Sequence, residues 1–283
     1  MTSRLAHVDP PLIYFVGSDI SHDKRKPPSM IDSESSTDSE TQSRGAVRIG
    51  GWSLIVAAIG FMAVFSYLAA RFNYPDVLDG SAGDVLPRLL ELGATGRSVW
   101  VLYAFLPLLL IPAGVGAYAA FRDAAPNAMR AALVFSVIAA VSMLLGLARW
   151  PSVHWELARA YATASPDARV AIDAVFAGLN AYLGNYIGEF LGELALNTFF
   201  ILTGVALLRA GGKWSGYGGL VAGGLGLLAA FRNVTSVVAV ISDVYNYVLP
   251  LWLIVLGVVL LRRRHHTNPP REEFDARTRR EAR

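Results

Sequence analysis

Long stretches of uncharged residues constrain this chain more than any other sequence feature. Residues 49–70 form a run of 22 residues without an acidic or basic side chain, between Arg48 and Arg71. At about 1.5 Å per helical residue, such a run crosses a hydrocarbon layer ~30 Å thick. The sequence therefore predicts an all-α membrane protein, a bundle of about six transmembrane helices, with spans near 49–70, 98–121, 131–148, 185–208, 214–231 and 244–261.

The charged residues are concentrated outside these runs. The chain is 17% charged, against roughly a quarter in an ordinary soluble domain. Residues 1–43 and 265–283 hold 20 of the 47 charged residues, which leaves 27 for the 221 residues between them. So few charges do not cover a water-exposed surface, which excludes a simple soluble globule. The predicted organisation is a disordered polar tail (1–43), a transmembrane domain (44–264) and a charged C-terminal tail (265–283).

Each tail has a distinctive composition. The N-terminal one contains DSESSTDSETQS at 32–43, which has too little apolar area to fold. Because Met30 lies just before this patch, we hypothesise that translation begins there and that residues 1–29 are an extension of the gene model. The C-terminal tail follows the basic cluster Arg262-Arg263-Arg264, which predicts binding to the bilayer surface through anionic lipid.

The placement of lysine and arginine predicts the orientation, because cytoplasmic segments retain positive charge. With the N-terminus inside, 18 of the 25 Lys and Arg residues fall in the cytoplasm and the other 7 fall outside. The prediction is a multi-pass protein of a bacterial cytoplasmic membrane with both termini cytoplasmic.

Composition and motifs argue against several function classes. The chain has no cysteine, so a disulfide framework, a thiolate nucleophile and Cys-ligated metal centres are excluded. Its five histidines lie in tails or a loop, and no metal or other cofactor is predicted. Basic residues stand at the ends of apolar runs, so nucleic acid is not a predicted partner. The motifs of hydrolases, zinc proteases and phosphate-binding loops are missing, and no catalytic residue is assigned.

Two outer loops are long enough to hold structure. In residues 71–97, the piece DVLPRLLEL has apolar residues at 85, 86, 89, 90 and 92, which predicts a short helix lying with one apolar side on the membrane surface. In residues 151–173, Ser165 followed by Pro166 predicts the start of a new helix.

The fourth span carries the most informative polar residues. Side chains four positions apart share one side of a helix, and this spacing joins Asn185, Glu189, Glu193 and Asn197. Carboxylates inside a bilayer need partners, protonation or water. From the topology, the candidate partners are Arg149, Arg232 and Asp243, at the outer ends of neighbouring spans.

Two interpretations of this stripe remain open. In the first, an outward-facing polar pocket uses Glu189 and Glu193 to exchange a proton or hold a cation, which makes the protein a small-solute or proton-linked transporter. In the second, a Glu–Arg network fixes helix packing, which makes it a structural or accessory component. Glycines support close packing of the fourth span (Gly184, Gly188 and Gly192) and of the fifth (Gly219 and Gly223). Those of the fifth span are also candidates for self-association.

Several blocks resemble a known family. They are GNYIGEFLGELALNTFFILTGVALLRAGG (184–212), the glycine-rich helix after it and LPLWLIVLGVVLLRR (249–263). With the six-span layout, they look like the bacterial integral membrane family catalogued as domain of unknown function 4386, over about residues 46–263. That family has no assigned activity, so the resemblance implies a fold and no catalytic residue.

Overall fold

The computed structural model describes residues 30–263, and the regular elements in this range are all helical. The chain divides into two compact units, Met1–Ser39 and Glu40–Arg283. In the first, the described part is a helical backbone from Met30 onward. The description below concerns the second unit. The hypothesis about residues 1–29 and the predictions for 264–283 lie outside the described residues.

Seven helices, α1 to α7, organise the described chain. All but the short α2 are long and apolar enough to cross a membrane, and in α1 this applies to the part from Thr41. The helices are α1 (Met30–Phe72), α2 (Ala82–Glu91), α3 (Gly93–Phe121), α4 (Pro126–Thr163), α5 (Pro166–Arg209), α6 (Lys213–Asn233) and α7 (Ser236–Arg262).

Each predicted span lies inside one of these helices. The clearest difference is at residues 30–43, where the sequence predicts a disordered tail and the structure continues α1 back to Met30. The reason is cooperative, because a helix nucleated by an apolar span gains one hydrogen bond for each further residue that joins it. The expected new helix after Ser165 is present, with the Ser165 hydroxyl accepting a hydrogen bond from the Ala168 backbone N–H at 3.4 Å.

Local departures from α-helical geometry interrupt three of the long helices. In α3 a 3₁₀ segment covers Leu106–Leu109, where Pro107 has no N–H to donate. A π-helical segment, with its wider i→i+5 hydrogen bonding, covers Trp150–His154 in α4. A longer one covers Asn180–Leu191 in α5 and ends directly before the α-helical turn that carries Glu193.

Glycines set how closely the long helices approach. A Cβ on Gly50 of α1 would lie 2.8 Å from the Cα of Gly116 in α3. A Cβ on Gly219 of α6 would lie 3.0 Å from the Cα of Gly204 in α5. The glycine side of α6, a predicted site of self-association, is therefore covered by α5 of the same chain.

Gly51 of α1 lies against Gly257 and Leu261 of α7, so the turns of α1 just after Thr41 and the last turns of α7 lie at the same end of the bundle, here called the proximal end. At the opposite, distal end, two of the helices are longer than a membrane crossing requires. At about 1.5 Å per residue, α4 and α5, with 38 and 44 residues, are about 57 and 66 Å long, well beyond a ~30 Å hydrocarbon layer. Their distal turns, together with residues 73–92, form a distal cap.

The distal cap has its own apolar core. The residues Val85, Leu86 and Leu89 of α2 are fully buried in it, and the rings of Trp100 and Trp150 stack with centroids 4.9 Å apart. The prediction that α2 lies with its apolar side on the membrane surface is therefore wrong. Its apolar side packs on the distal turns of α4 and α5, because the protein itself supplies the apolar surface that the helix needs.

Candidate functional site

Two carboxylates of α5 meet one arginine at the distal end of α6. Each terminal nitrogen of the Arg232 guanidinium lies 2.6 Å from a different carboxylate oxygen of Glu193. One of the two nitrogens also donates to Glu189 at 3.1 Å. The three side chains are only 28%, 29% and 14% exposed for Arg232, Glu189 and Glu193. This Glu–Arg cluster thus forms one charge-assisted hydrogen-bond network with little access to water.

The 3₁₀ end of α6 positions the basic partner. Residues Ala230–Asn233 tighten the last turn, and this turn presents Arg232 and Asn233 to α5 together. The Asn233 side-chain amide donates to Glu189 at 3.3 Å. Glu189 therefore has two donors from one helix end, and Glu193 is held at two points by a single guanidinium.

Asn197 lies one turn farther from the distal end and is fully buried. Its side-chain amide donates to the Glu193 backbone carbonyl at 2.8 Å, and its oxygen accepts a hydrogen bond from the Tyr245 hydroxyl of α7. A Cβ on Gly226 would lie 2.0 Å from that same oxygen. Because Gly226 has no side chain, α6 leaves room for this hydrogen bond between α5 and α7.

Arg149 is buried on the other side of α5. Its Nε donates to the Asn180 side-chain oxygen at 3.0 Å and one terminal nitrogen donates to the Gly146 carbonyl at 2.5 Å. The guanidinium also lies over the Trp150 ring, 5.0 Å from its centroid. Among the side chains that the structure describes, no carboxylate oxygen lies within 4.0 Å of it. It is nevertheless close enough to Glu189 for an electrostatic interaction.

Besides Arg149, the structure leaves two of the predicted site residues outside the cluster. Asn185 and Asp243 are both exposed. Within the polar stripe of α5, only the residues from Glu189 to Asn197 meet a partner on another helix. The reason is that α6 ends at Asn233 and contributes no residue at the level of Asn185. Asp243 instead borders a shallow apolar groove of about 320 Å³ along α7.

The three glycines of α5 that the sequence singles out for packing lie against α4. A Cβ on Gly184 would be 2.6 Å from an Arg149 nitrogen, one on Gly188 would be 2.8 Å from the Cα of Gly146, and one on Gly192 would be 2.8 Å from the Met143 side chain. In α6, Gly223 faces α5, where a Cβ would lie 2.8 Å from the Asn197 carbonyl oxygen. Absence of a side chain at these positions allows the close packing around the charged groups.

Sequence reasoning missed Asn180 as the partner of Arg149. The residue extends the series 184, 188 and 192 by one further step of four toward the N-terminus. The signal for Asn180 in the sequence is therefore the four-residue spacing of these glycines, and not the spacing of the polar residues of the stripe.

His154 is the one buried histidine of the described chain, and its ring lies between Trp150 and Phe176, with centroids 4.8 and 4.7 Å away. Neither ring nitrogen has a hydrogen-bond partner. In the described residues, no three His, Asp or Glu side chains come together in a way that could hold a metal ion.

The fold and the cluster define the class of this protein: an all-helical chain with six helices long and apolar enough to cross a membrane, and an ion-paired polar cluster between three of them. Within that class, the chain belongs to the family described as "Domain of unknown function (DUF4386)", whose model matches residues 49–257. No curated protein and no solved structure gives a significant match. The resemblance seen in the sequence is confirmed.

Proposed function

We propose that this protein is a structural or accessory multi-pass protein of a bacterial cytoplasmic membrane, in which the Glu–Arg cluster holds α5 and α6 together and the Asn197–Tyr245 hydrogen bond beside it joins α5 to α7. The observation that carries the proposal is the engagement of both carboxylates by Arg232. A carboxylate held at two points by a guanidinium must give up both hydrogen bonds before it can bind a cation in their place.

The charge count supports a packing role. Glu189 and Glu193 contribute two negative charges, and Arg232 and Arg149 contribute two positive ones at the same end of the bundle. The hydrogen bonds from Arg232, together with the nearby charge of Arg149, offset the cost of placing two carboxylates near a hydrocarbon layer. Two grooves on the described surface, of about 320 and 460 Å³, have neither glutamate in their lining.

The experiment compares Glu193→Gln with the wild type. We expect the variant to unfold at a lower temperature, and we expect neither protein to produce a pH change in liposomes when a sodium, potassium or amino-acid gradient is imposed. The matched control is Glu156→Gln, because Glu156 is 58% exposed and pairs only with arginines on the surface of the cap. A gradient-dependent pH change that Glu193→Gln abolishes without unfolding the protein would overturn the proposal in favour of a transporter.

We further propose that the proximal end, with both termini, faces the cytoplasm. Support comes from the distribution of lysine and arginine, of which 18 of 25 fall on that side. Because the chain has no cysteine, single cysteines report cleanly on sidedness. In whole cells, a cysteine at Ala164 in the distal cap should react with an impermeant maleimide, and one at Asn127, in the first turn of α4 at the proximal end, should react only after lysis. The reverse pattern would invert the orientation.

A further inference from the structure

A groove of about 460 Å³ runs along α1 near the proximal end. The α1 residues that line it recur at intervals of three and four and so share one side of the helix. The wall opposite is Leu109, in the 3₁₀ interruption of α3. The α1 lining consists of Gly45, Arg48, Ile49, Trp52, Ser53 and Val56.

Helix packing leaves this groove open. α1 and α3 approach most closely at Gly50 and Gly116, and beside that crossing the lining residues Gly45 and Ser53 are small. A Cβ on Gly45 would have no atom within 4 Å. The depression therefore remains unfilled by the described part of the chain.

The chemistry of the groove is amphipathic along its length. From residue 45 to residue 56 it extends about 16 Å, at 1.5 Å per residue. The side chains of Ile49, Trp52 and Val56 are 60%, 55% and 50% exposed, which is ordinary for a surface in contact with hydrocarbon. Arg48 is exposed at the end where the uncharged run begins, and no carboxylate of residues 41–77 or 80–263 lies within 4.0 Å of it.

We propose that this groove binds an anionic phospholipid, with the phosphate headgroup at Arg48 and one acyl chain along Ile49, Trp52 and Val56. Basic residues next to a span attract anionic headgroups, and an indole ring favours the boundary between headgroup and hydrocarbon. None of the lining residues is acidic. The site goes beyond the proposed structural role and differs from the C-terminal basic cluster. The proposed orientation places this site in the cytoplasmic leaflet, and no other part of the lipid proposal rests on that orientation.

The second groove provides an internal comparison. It is apolar and similarly open, but its one charged lining residue is Asp243. An acidic border repels an anionic headgroup, so the preference for anionic lipid belongs to the α1 groove and not to apolar grooves of this protein in general.

The test is native mass spectrometry of the full chain in detergent, with equimolar phosphatidylglycerol and phosphatidylcholine of identical acyl chains. We expect the wild type to retain phosphatidylglycerol about fivefold more than phosphatidylcholine, the ratio that corresponds to ~1 kcal/mol for one arginine at a headgroup. Arg48→Gln should reduce the ratio to about one. The matched control, Arg71→Gln, changes the arginine at the other end of the same helix and should leave the ratio unchanged.

A second variant fills the groove and keeps its charge. Gly45→Leu places a side chain in open space and improves helix propensity, so the protein should fold while losing bound lipid of both kinds. Gly178→Leu, at a helical glycine that also has no neighbour within 4 Å, is the control and should retain lipid. Equal retention of the two lipids by the wild type, or an unchanged ratio in Arg48→Gln together with full retention in Gly45→Leu, would overturn the proposal. If Arg48→Gln fails to fold, the Gly45→Leu result decides. The measurement is made in detergent, so its outcome is independent of the orientation and of the liposome test of the structural role.

Discussion

Arg232 and Glu193 form a two-point ion pair across 39 residues of sequence, with both nitrogen–oxygen distances at 2.6 Å. The pair joins the distal end of α6 to the middle of α5. Farther toward the proximal end, the same two helices meet where Gly219 lies against Gly204. The pairing of α5 with α6 is thus fixed by charge at one end and by close backbone contact along the rest.

The first prediction concerns the coupling of this ion pair. Removing one partner leaves a poorly hydrated charge, so Arg232→Gln and Glu193→Gln should each lower the free energy of unfolding by about 2–4 kcal/mol. The double variant should cost less than the sum, with a coupling of about 1–3 kcal/mol. Unfolding in mixed micelles with increasing SDS measures all four proteins.

The control cycle uses Arg159 and Glu156 on the cap surface. Their side chains are 65% and 58% exposed at a distance of 3.2 Å, so their coupling should be near zero, at most ~1 kcal/mol. If the two cycles gave the same coupling, or if the Arg232 and Glu193 effects simply added, the Glu–Arg cluster would not be what holds the helices together.

The two glutamates should differ in importance. Glu193 receives two short hydrogen bonds from Arg232 and is 14% exposed, whereas Glu189 receives longer ones, from Arg232 at 3.1 Å and from Asn233 at 3.3 Å, and is 29% exposed. Glu189→Gln should therefore destabilise the protein by less than half as much as Glu193→Gln. At this more exposed position, water can replace part of the lost hydrogen bonding between Arg232 and the carboxylate. The same SDS titration decides, and an equal or larger effect at Glu189 would contradict the assignment.

The sequence predicted the helices well because each depends on local information. An uncharged run flanked by arginines, such as 49–70, is a property of consecutive residues, and so is the start at Ser165-Pro166. The family was also visible, because its glycine and apolar blocks are contiguous.

The partners in the cluster were harder to predict, because helix periodicity gives the side a residue faces and not the level at which a neighbouring helix ends. Asn185 fits the stripe yet is exposed, since α6 stops at Asn233. Arg149 lies at the same end of the bundle as the glutamates, as expected, yet it binds Asn180. The packing of Gly188 on Gly146 brings the π-helical segment of α5 to its guanidinium. The position of α2 also depends on tertiary packing, since an apolar side fits a membrane surface or a protein surface equally well.

Tyr74, in the connection between α1 and α2, supports a prediction about alkaline pH. Burial raises the pKa of Tyr74 to about 12, from an ordinary value near 10. The folded state therefore keeps the Tyr74 proton at pH values where the unfolded state loses it. The contribution of Tyr74 to the free energy of unfolding is complete below about pH 10 and is lost as the pH rises from 10 through 12. Tyr74→Phe keeps the ring that contacts Phe65 at 5.3 Å and should make the protein less sensitive to base.

The measurement is thermal unfolding of the wild type and Tyr74→Phe between pH 9 and pH 12. The difference between the two proteins should be constant at the lower end and should shift in favour of the variant above about pH 10. A difference that does not depend on pH would show that the Tyr74 hydroxyl is not buried in the folded state.

The last prediction separates two glycines of α6 that are two residues apart. A Cβ on Gly226 would lie 2.0 Å from the Asn197 side-chain oxygen, whereas one on Gly224 would have no atom within 4 Å. Gly226→Ala should displace Asn197, break its hydrogen bond with Tyr245 and lower the free energy of unfolding by about 1–3 kcal/mol. Gly224→Ala should be neutral or stabilising by up to ~1 kcal/mol, because alanine favours the helix more than glycine does. Tyr245→Phe supplies the remaining check: once Asn197 is displaced, removing the hydroxyl should cost little more, so its effect should be clear in the wild type and small in Gly226→Ala. Equal effects of Tyr245→Phe in both backgrounds would mean that Gly226 does not serve this hydrogen bond.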